Sequence, residues 1–86
     1  MEIESFIKID MSKYYGLKLT ENQITDIMEN NKFEHFDTYE RDSCIDYIAK
    51  KITGKGWPLN GDPDSYKKQF YKELKENSKN LGYIFK

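Results

Sequence analysis

With 86 residues, the chain is long enough for one folded domain and too short for two. Its 14 Lys and Arg residues against 15 Asp and Glu residues leave a formal charge of -1, which excludes a uniformly basic nucleic-acid-binding protein. A single cysteine, Cys44, excludes an internal disulfide and any multi-cysteine metal motif, and a single histidine, His35, excludes a pair of histidine metal ligands.

The chain contains no apolar run near the roughly 18 residues that a membrane helix requires. Its first residues, MEIESF, are acidic where a signal peptide would be basic and then apolar. We therefore expect one domain covering residues 1–86, located in the cytoplasm, without membrane contact and without a cofactor.

The first fifteen residues fit two patterns. Apolar side chains follow a helical stripe, but some of them also alternate with polar residues as in a strand: Ile3, Phe6, Ile7, Ile9, Met11 and Tyr14. The nearest partner strand would be residues 17–19, and an isolated two-stranded hairpin is marginal in water. We therefore predict a helix over residues 3–15, ended by Gly16.

Two capping boxes predict the next two helices. Thr20 with Gln23 precedes an apolar helical pattern, which predicts a helix over residues 21–31. Asp37 with Glu40 is a second such box and predicts a helix over residues 38–53, which Gly54 ends.

The fourth helix has the clearest start. Asp62 is expected to cap it and Pro63 to occupy its first position, and the helix is predicted to cover residues 63–80. Gly82 stops it, and the apolar residues 83–85 are expected to fold back onto the core. The fold class is thus predicted to be all-α, a compact single-domain bundle of about four helices with short connections.

The middle of the chain carries a distinctive pattern. The helix start Asp37-Thr38-Tyr39-Glu40-Arg41 is followed by Thr53-Gly54 and then by Trp57-Pro58. This "Asp-Thr-x-x-Arg … Thr-Gly-x-x-Trp-Pro" pattern resembles small uncharacterised proteins of bacteriophages and prophages. The resemblance implies a compact helical protein of mobile-element origin, acting in the host cytoplasm, and by analogy an inhibitor of host defence of the anti-CRISPR kind. It implies no catalytic residues.

The inventory of reactive groups does not suggest an enzyme. Cys44 falls on the apolar stripe of the third predicted helix, where a buried hydrophobic role is the more ordinary interpretation. His35 lies outside that helix, and no phosphate-binding loop or calcium loop is complete. We expect a non-enzymatic protein with no metal site.

Charge is unevenly distributed along the chain. Residues 1–46 carry a net charge of -6 and residues 47–86 carry +5. The first half predicts an acidic face on the second and third helices that binds and modulates a host protein with a basic groove. A solvated, functionless face is the plain alternative. The predicted contact residues are Glu21, Asp26, Glu29, Glu34, Tyr39, Glu40, Asp42, Asp46 and Tyr47, with Tyr39 and Tyr47 exposed.

Two further surfaces are open to interpretation. Trp57 is either a contact of its loop with the partner or a plug for the corner between the third and fourth helices. The fourth helix places Lys68, Lys72, Lys75 and Lys79 on one flank, which predicts weak nucleic-acid binding as an alternative function. The chain is expected to be a monomer or a homodimer, the apolar tail being one place for pairing.

Overall fold

The computed structural model describes residues 2–58 and 63–85. In this part of the chain, four helices make up most of the molecule and confirm the predicted all-α class. The elements follow one another as α1 (Ile3–Tyr15), β1 (Leu17–Lys18), α2 (Glu21–Asn30), α3 (Thr38–Thr53), α4 (Asp64–Ser78), a short 3₁₀ turn (Lys79–Leu81) and β2 (Ile84–Phe85).

The helix starts agree with the capping residues. Thr20 and Gln23 form a complete capping box at α2, and Asp37 and Glu40 form another at α3. Each box satisfies main-chain N–H groups that the first helical turn leaves without partners. For α4 the prediction was one residue early, because Pro63 precedes the helix rather than beginning it. The predicted cap Asp62 lies outside the described residues.

Three of the described helical segments end at a glycine. Gly16 follows α1 with φ of 66° and Gly54 follows α3 with φ of 79°, both in the left-handed region that glycine adopts without steric cost. α2 stops at Asn30, one residue before the predicted end. α4 loses regular α-helical geometry after Ser78 and continues as the 3₁₀ turn, which Gly82 ends.

The core forms where the apolar stripes of the four helices meet. All of its members are less than a tenth exposed: Ile7, Met11, Leu17, Leu19, Ile24, Ile27, Cys44, Ile45, Ile48, Ala49, Phe70, Leu74 and Tyr83. The third helix contributes the most central group, because four of its residues are buried. None of the described helices is long and apolar enough to cross a membrane.

The C-terminal tail returns across the molecule. β2 pairs with β1 in antiparallel fashion, with Leu17 opposite Phe85 and Lys18 opposite Ile84. The tail was expected to fold back but not to form a strand. Tyr83 is buried between the 3₁₀ turn and this strand pair, and its main-chain N–H donates to the carbonyl of Ser78. The sheet therefore brings the C-terminal tail against the segment that follows α1.

Candidate functional site

Asp26, one of the predicted acidic contacts, is engaged inside the molecule. Its carboxylate accepts hydrogen bonds from the hydroxyl of Tyr47 at 3.0 Å and from the ammonium of Lys51 on α3. The hydrogen bond from Lys51, helped by that from Tyr47, holds the pKa of Asp26 below its ordinary value. Tyr47 is half-buried rather than exposed. These two predicted contact residues therefore join α2 to α3.

Asp46 is also engaged, and it anchors the loop after α3. Its Oδ1 accepts the main-chain N–H of Trp57 at 2.9 Å, and its Oδ2 pairs with Lys50 at 3.1 Å. A Cβ on Gly56 would lie 2.6 Å from Asp46 Oδ1, so glycine allows this close approach. The carboxylate predicted to bind a partner thus fixes the position of Trp57.

Glu40 belongs to the start of α3. Its Oε2 accepts the main-chain N–H of Asp37 at 3.4 Å, while its Oε1 lies 3.4 Å from His35 Nε2. Asp37 Oδ2 also lies 3.3 Å from that imidazole nitrogen, so three groups that could hold a metal ion meet here. Both carboxylates already cap the helix, and the positive end of its dipole disfavours a cation. We assign these groups to capping.

The other predicted acidic contacts are exposed or half-buried. Glu21 pairs loosely with Lys8 at 3.8 Å. Tyr39, 77% exposed, confirms the predicted exposed tyrosine at the start of α3. Glu29 and Glu34 are exposed and Asp42 is half-buried. Within the described part of the chain, three of the seven predicted carboxylates accept hydrogen bonds from other residues: Asp26, Glu40 and Asp46.

Trp57 lies among three other rings. Tyr15, Phe70 and Tyr71 contact it edge to face, with centroid distances of 5.5, 5.6 and 6.1 Å. Offset and edge-to-face pairs are the favoured aromatic geometries, each adding about 0.5–1.5 kcal/mol beyond burial. Pro58 beside it is buried. Trp57 therefore packs inside the molecule, as the plug interpretation predicts, but its ring contacts join the end of α1 to the middle of α4 rather than α3 to α4.

The end of α1 is tied to α4 and α3 around this tryptophan. Tyr71 donates its hydroxyl hydrogen to the main-chain carbonyl of Tyr15, and burial raises the pKa of both tyrosines. Arg41 stacks on the ring of Tyr14, its guanidinium carbon 3.8 Å from the centroid, and reaches Asp10 at 4.0 Å. Arg41 thus has the acidic neighbour that its place in the first turn of a helix predicts.

These contacts leave an open cleft at the junction of α1, α4 and the loop after α3. It has a volume of about 480 Å³, in the range of small-ligand sites, and we call it the tryptophan cleft. Its lining consists of Tyr14, Tyr15, Gly16, Trp57, Lys67, Lys68 and Tyr71. Tyr14 is 50% exposed, so part of this aromatic wall is accessible to a partner.

The charge of the tryptophan cleft is one-sided. Among the described residues, none that lines it carries a carboxylate, whereas Lys67 and Lys68 stand on its α4 side. Lys13 also lies 5.2 Å from the ring of Tyr14. Aromatic rings beside ammonium groups can bind a ligand that combines negative charge with a flat or apolar group.

The predicted lysine flank of α4 is divided among three environments. Lys68 belongs to the tryptophan cleft, and Lys72 lies beside Glu73 and Glu76, which dilute its charge. Lys75 lies over the ring of Tyr71 at 4.8 Å. A second cleft of about 360 Å³, here called the tail cleft, is lined by Lys75, Ser78, Lys79, Tyr83, Ile84 and Phe85.

Cys44 does not have the environment of a nucleophile. It is fully buried, and burial raises the pKa of its thiol to about 12. A thiol in this state carries almost no thiolate at neutral pH, and the thiolate is the reactive form. Its side chain packs in the hydrophobic core of the protein, as its position on the apolar stripe of α3 predicts.

The sequence patterns predicted the lysines and Trp57 separately but missed the cleft that unites them. Tyr14 and Tyr15 were assigned only to a helix, and Lys67 was not among the predicted site residues. The available signal was the position of Tyr14 and Tyr15 directly before Gly16, where the helix ends. Aromatic side chains at a helix end are free to contact a neighbouring element. No pattern in the sequence places that end against α4.

Comparison with known proteins adds no relative. No family model matches the chain, and no curated protein or solved structure matches it. The resemblance to small phage proteins therefore stays a prediction.

The role of Asp46 can be tested by removing its carboxylate. We expect Asp46→Ala to lower the free energy of unfolding by about 1–3 kcal/mol, since the N–H of Trp57 loses its acceptor. Asp42→Ala, one turn earlier on the same helix, should change it by no more than about 0.5 kcal/mol. Urea titrations of both variants make the comparison, and equal stabilities would refute the anchoring role.

The contact of Asp26 with Lys51 and Tyr47 predicts a defined pH dependence. Because the pKa of Asp26 is lowered from 3.8 in the folded chain, its stabilisation is complete above that value and is lost as the pH falls through the folded pKa. The stability difference between the parent chain and Asp26→Asn should therefore shrink below about pH 4. Its size should not exceed about 1 kcal/mol, since the pair is partly solvated.

The matched control for this experiment is Glu29→Gln, which alters an exposed carboxylate on the same helix. At pH 7 its difference from the parent chain should be no more than about 0.5 kcal/mol, since the side chain is exposed. A constant difference between Asp26→Asn and the parent chain, measured by urea titration from pH 7 to 3, would contradict the assigned contact.

Proposed function

We propose that this chain is a small non-enzymatic binding protein that recognises an anionic partner at the tryptophan cleft. The observation that carries the proposal is the composition of this cleft, where four aromatic side chains and two lysines line an open depression of about 480 Å³ without a carboxylate among the described lining residues. Such a surface complements negative charge and offers apolar area to the same ligand.

The environment of Cys44 supports binding rather than catalysis. Its thiol is buried and its pKa is raised to about 12, so it cannot serve as a ready nucleophile. Near the cleft, burial raises the pKa of Tyr15 and of Tyr71 further above physiological pH, and the Tyr71 hydroxyl is already hydrogen-bonded to the carbonyl of Tyr15. The described lining residues therefore offer aromatic surface and fixed positive charge, which suit recognition.

The acidic-surface hypothesis is supported less well. Asp26, Glu40 and Asp46 each have internal partners, and their use by an external partner would cost the contacts that hold α2, α3 and the Trp57 loop. The exposed Tyr39 with Glu34 nearby remains accessible, so binding of a basic host protein there stays a prediction. Inhibition of a host defence protein rests on the resemblance to phage proteins alone.

Charge reversal tests the proposed function without naming the partner. A chain with net charge -1 should be retained on immobilised heparin only if its cations are clustered. Lys68→Glu should weaken this retention, with an affinity about two- to fivefold lower, since it removes one contact and adds repulsion.

Lys32→Glu is the matched control, because it makes the same change of net charge at an exposed lysine in the connection between α2 and α3. The proposal expects this variant to elute with the parent chain. Equal loss of retention for both variants would show that net charge, and not the cleft, determines binding, and would reject the proposed site.

A further inference from the structure

The tryptophan cleft and the tail cleft adjoin through contacts between their lining residues. Tyr71 lines the first and Phe85 the second, and their rings meet edge to face with a centroid distance of 5.7 Å. Lys75, which lines the tail cleft, lies 4.8 Å from the ring of Tyr71. The two clefts are therefore contiguous, and we call their combined lining the aromatic–lysine stripe.

The stripe follows one side of α4. Lys68, Tyr71, Lys75 and Lys79 are three or four residues apart, and this spacing keeps side chains on one side of a helix. From Lys68 to Lys79 the helical rise amounts to about 16 Å. The stripe thus presents cations in series over a length that exceeds one small ion and suits an extended polyanion.

Aromatic groups recur along the same line. Trp57 and three tyrosines lie at one end of the stripe, and Tyr83 and Phe85 lie at the other. Among the described residues that line the two clefts, none is acidic. Asp64 lies one helical turn before Lys68, at the start of the stripe, whereas Glu73 and Glu76 line a different depression with Lys72. From Lys68 to Lys79, lysines and aromatic side chains therefore alternate among the described residues that line the two clefts.

We propose that the aromatic–lysine stripe binds single-stranded nucleic acid, with the phosphates along the lysines and a base in the tryptophan cleft. This inference rests on the proposed function and specifies its anionic partner. Single strands carry both chemistries in alternation, a charged backbone and exposed planar bases, which matches the alternation along α4. In a duplex the bases are stacked and paired with each other, so a duplex could bind only through contacts between its phosphates and the lysines.

The binding should depend little on sequence. Base edges are distinguished by side chains such as Arg, Asn and Gln. The described linings of both clefts contain none of these, and stacking accepts every base. The salt dependence should be modest, because four phosphate contacts on a single strand give a slope of about -3 in log affinity against log salt.

The test uses the full chain and three polyanions at low salt. A short oligothymidylate, an abasic strand with the same number of phosphates, and polyglutamate are titrated, and the fluorescence of Trp57, the sole tryptophan, reports occupation of the cleft. Oligothymidylate is expected to bind at least about fivefold more tightly than the abasic strand, because base stacking adds to the phosphate contacts.

Two pairs of variants locate the binding. Tyr14→Ala should weaken oligothymidylate binding at least about threefold while Tyr39→Ala, another exposed helical tyrosine, leaves it unchanged. Lys68→Glu should weaken the binding of both strands while Lys32→Glu does not. Circular dichroism melts of all four variants verify that each is folded before its affinity is compared.

The outcomes separate this inference from the proposed function. If the abasic strand or polyglutamate binds as tightly as oligothymidylate and Lys68→Glu weakens that binding, the partner is another polyanion or an acidic protein. The nucleic-acid assignment is then wrong and the proposed function stands. If none of the three ligands binds at low salt, both are wrong. If oligothymidylate binds most tightly and Tyr14→Ala reduces that preference, the result supports both the nucleic-acid assignment and the proposed function.

Discussion

The hydrogen bond from the main chain of Trp57 to Asp46 is the contact on which the arrangement of the surface depends. It fixes the loop after α3 at 2.9 Å from a helical carboxylate and places the indole between α1 and α4. Without this anchor the two helices would lose their largest shared side chain. The anchored indole also forms part of the wall of the tryptophan cleft, together with Tyr14, Tyr15 and Tyr71.

Internal ion pairs decide which charges remain for a partner. Lys50 and Lys51, from the basic half of the chain, pair with Asp46 and Asp26 from the acidic half. These pairs neutralise two of the predicted acidic contacts and contribute little to stability individually because they are partly solvated. The lysines of α4 border clefts whose described linings contain no carboxylate. The charge asymmetry of the sequence thus becomes a cationic stripe on one helix.

Much of the fold followed from local signals. Capping boxes at Thr20 and Asp37 place two helix starts, because a cap is an interaction within four residues and needs no knowledge of the rest of the fold. The same holds for Gly16 and Gly54 at helix ends. The strand pair of β1 with β2 escaped prediction because it joins residues more than sixty positions apart, and two-residue strands leave no periodic pattern.

The candidate site was less predictable than the fold. The sequence pattern of a carboxylate on the outer side of a helix is the same whether it contacts solvent, a partner or a neighbouring lysine. Asp26 and Asp46 form ion pairs with Lys51 and Lys50. Tyr47 was expected at the surface because of its helical position, yet its hydroxyl bonds to Asp26. Such contacts depend on how α2 and the Trp57 loop pack against α3, which no local pattern encodes.

The most direct test of this account is hydrogen exchange at the main-chain N–H of Trp57 in the native protein. If Asp46 holds this group, exchange should be at least about a hundredfold slower than in an unstructured peptide, and the protection should disappear in Asp46→Ala. Exchange of the Trp57 amide at the unstructured rate in the parent chain would mean that the loop is not anchored and that the tryptophan cleft does not persist.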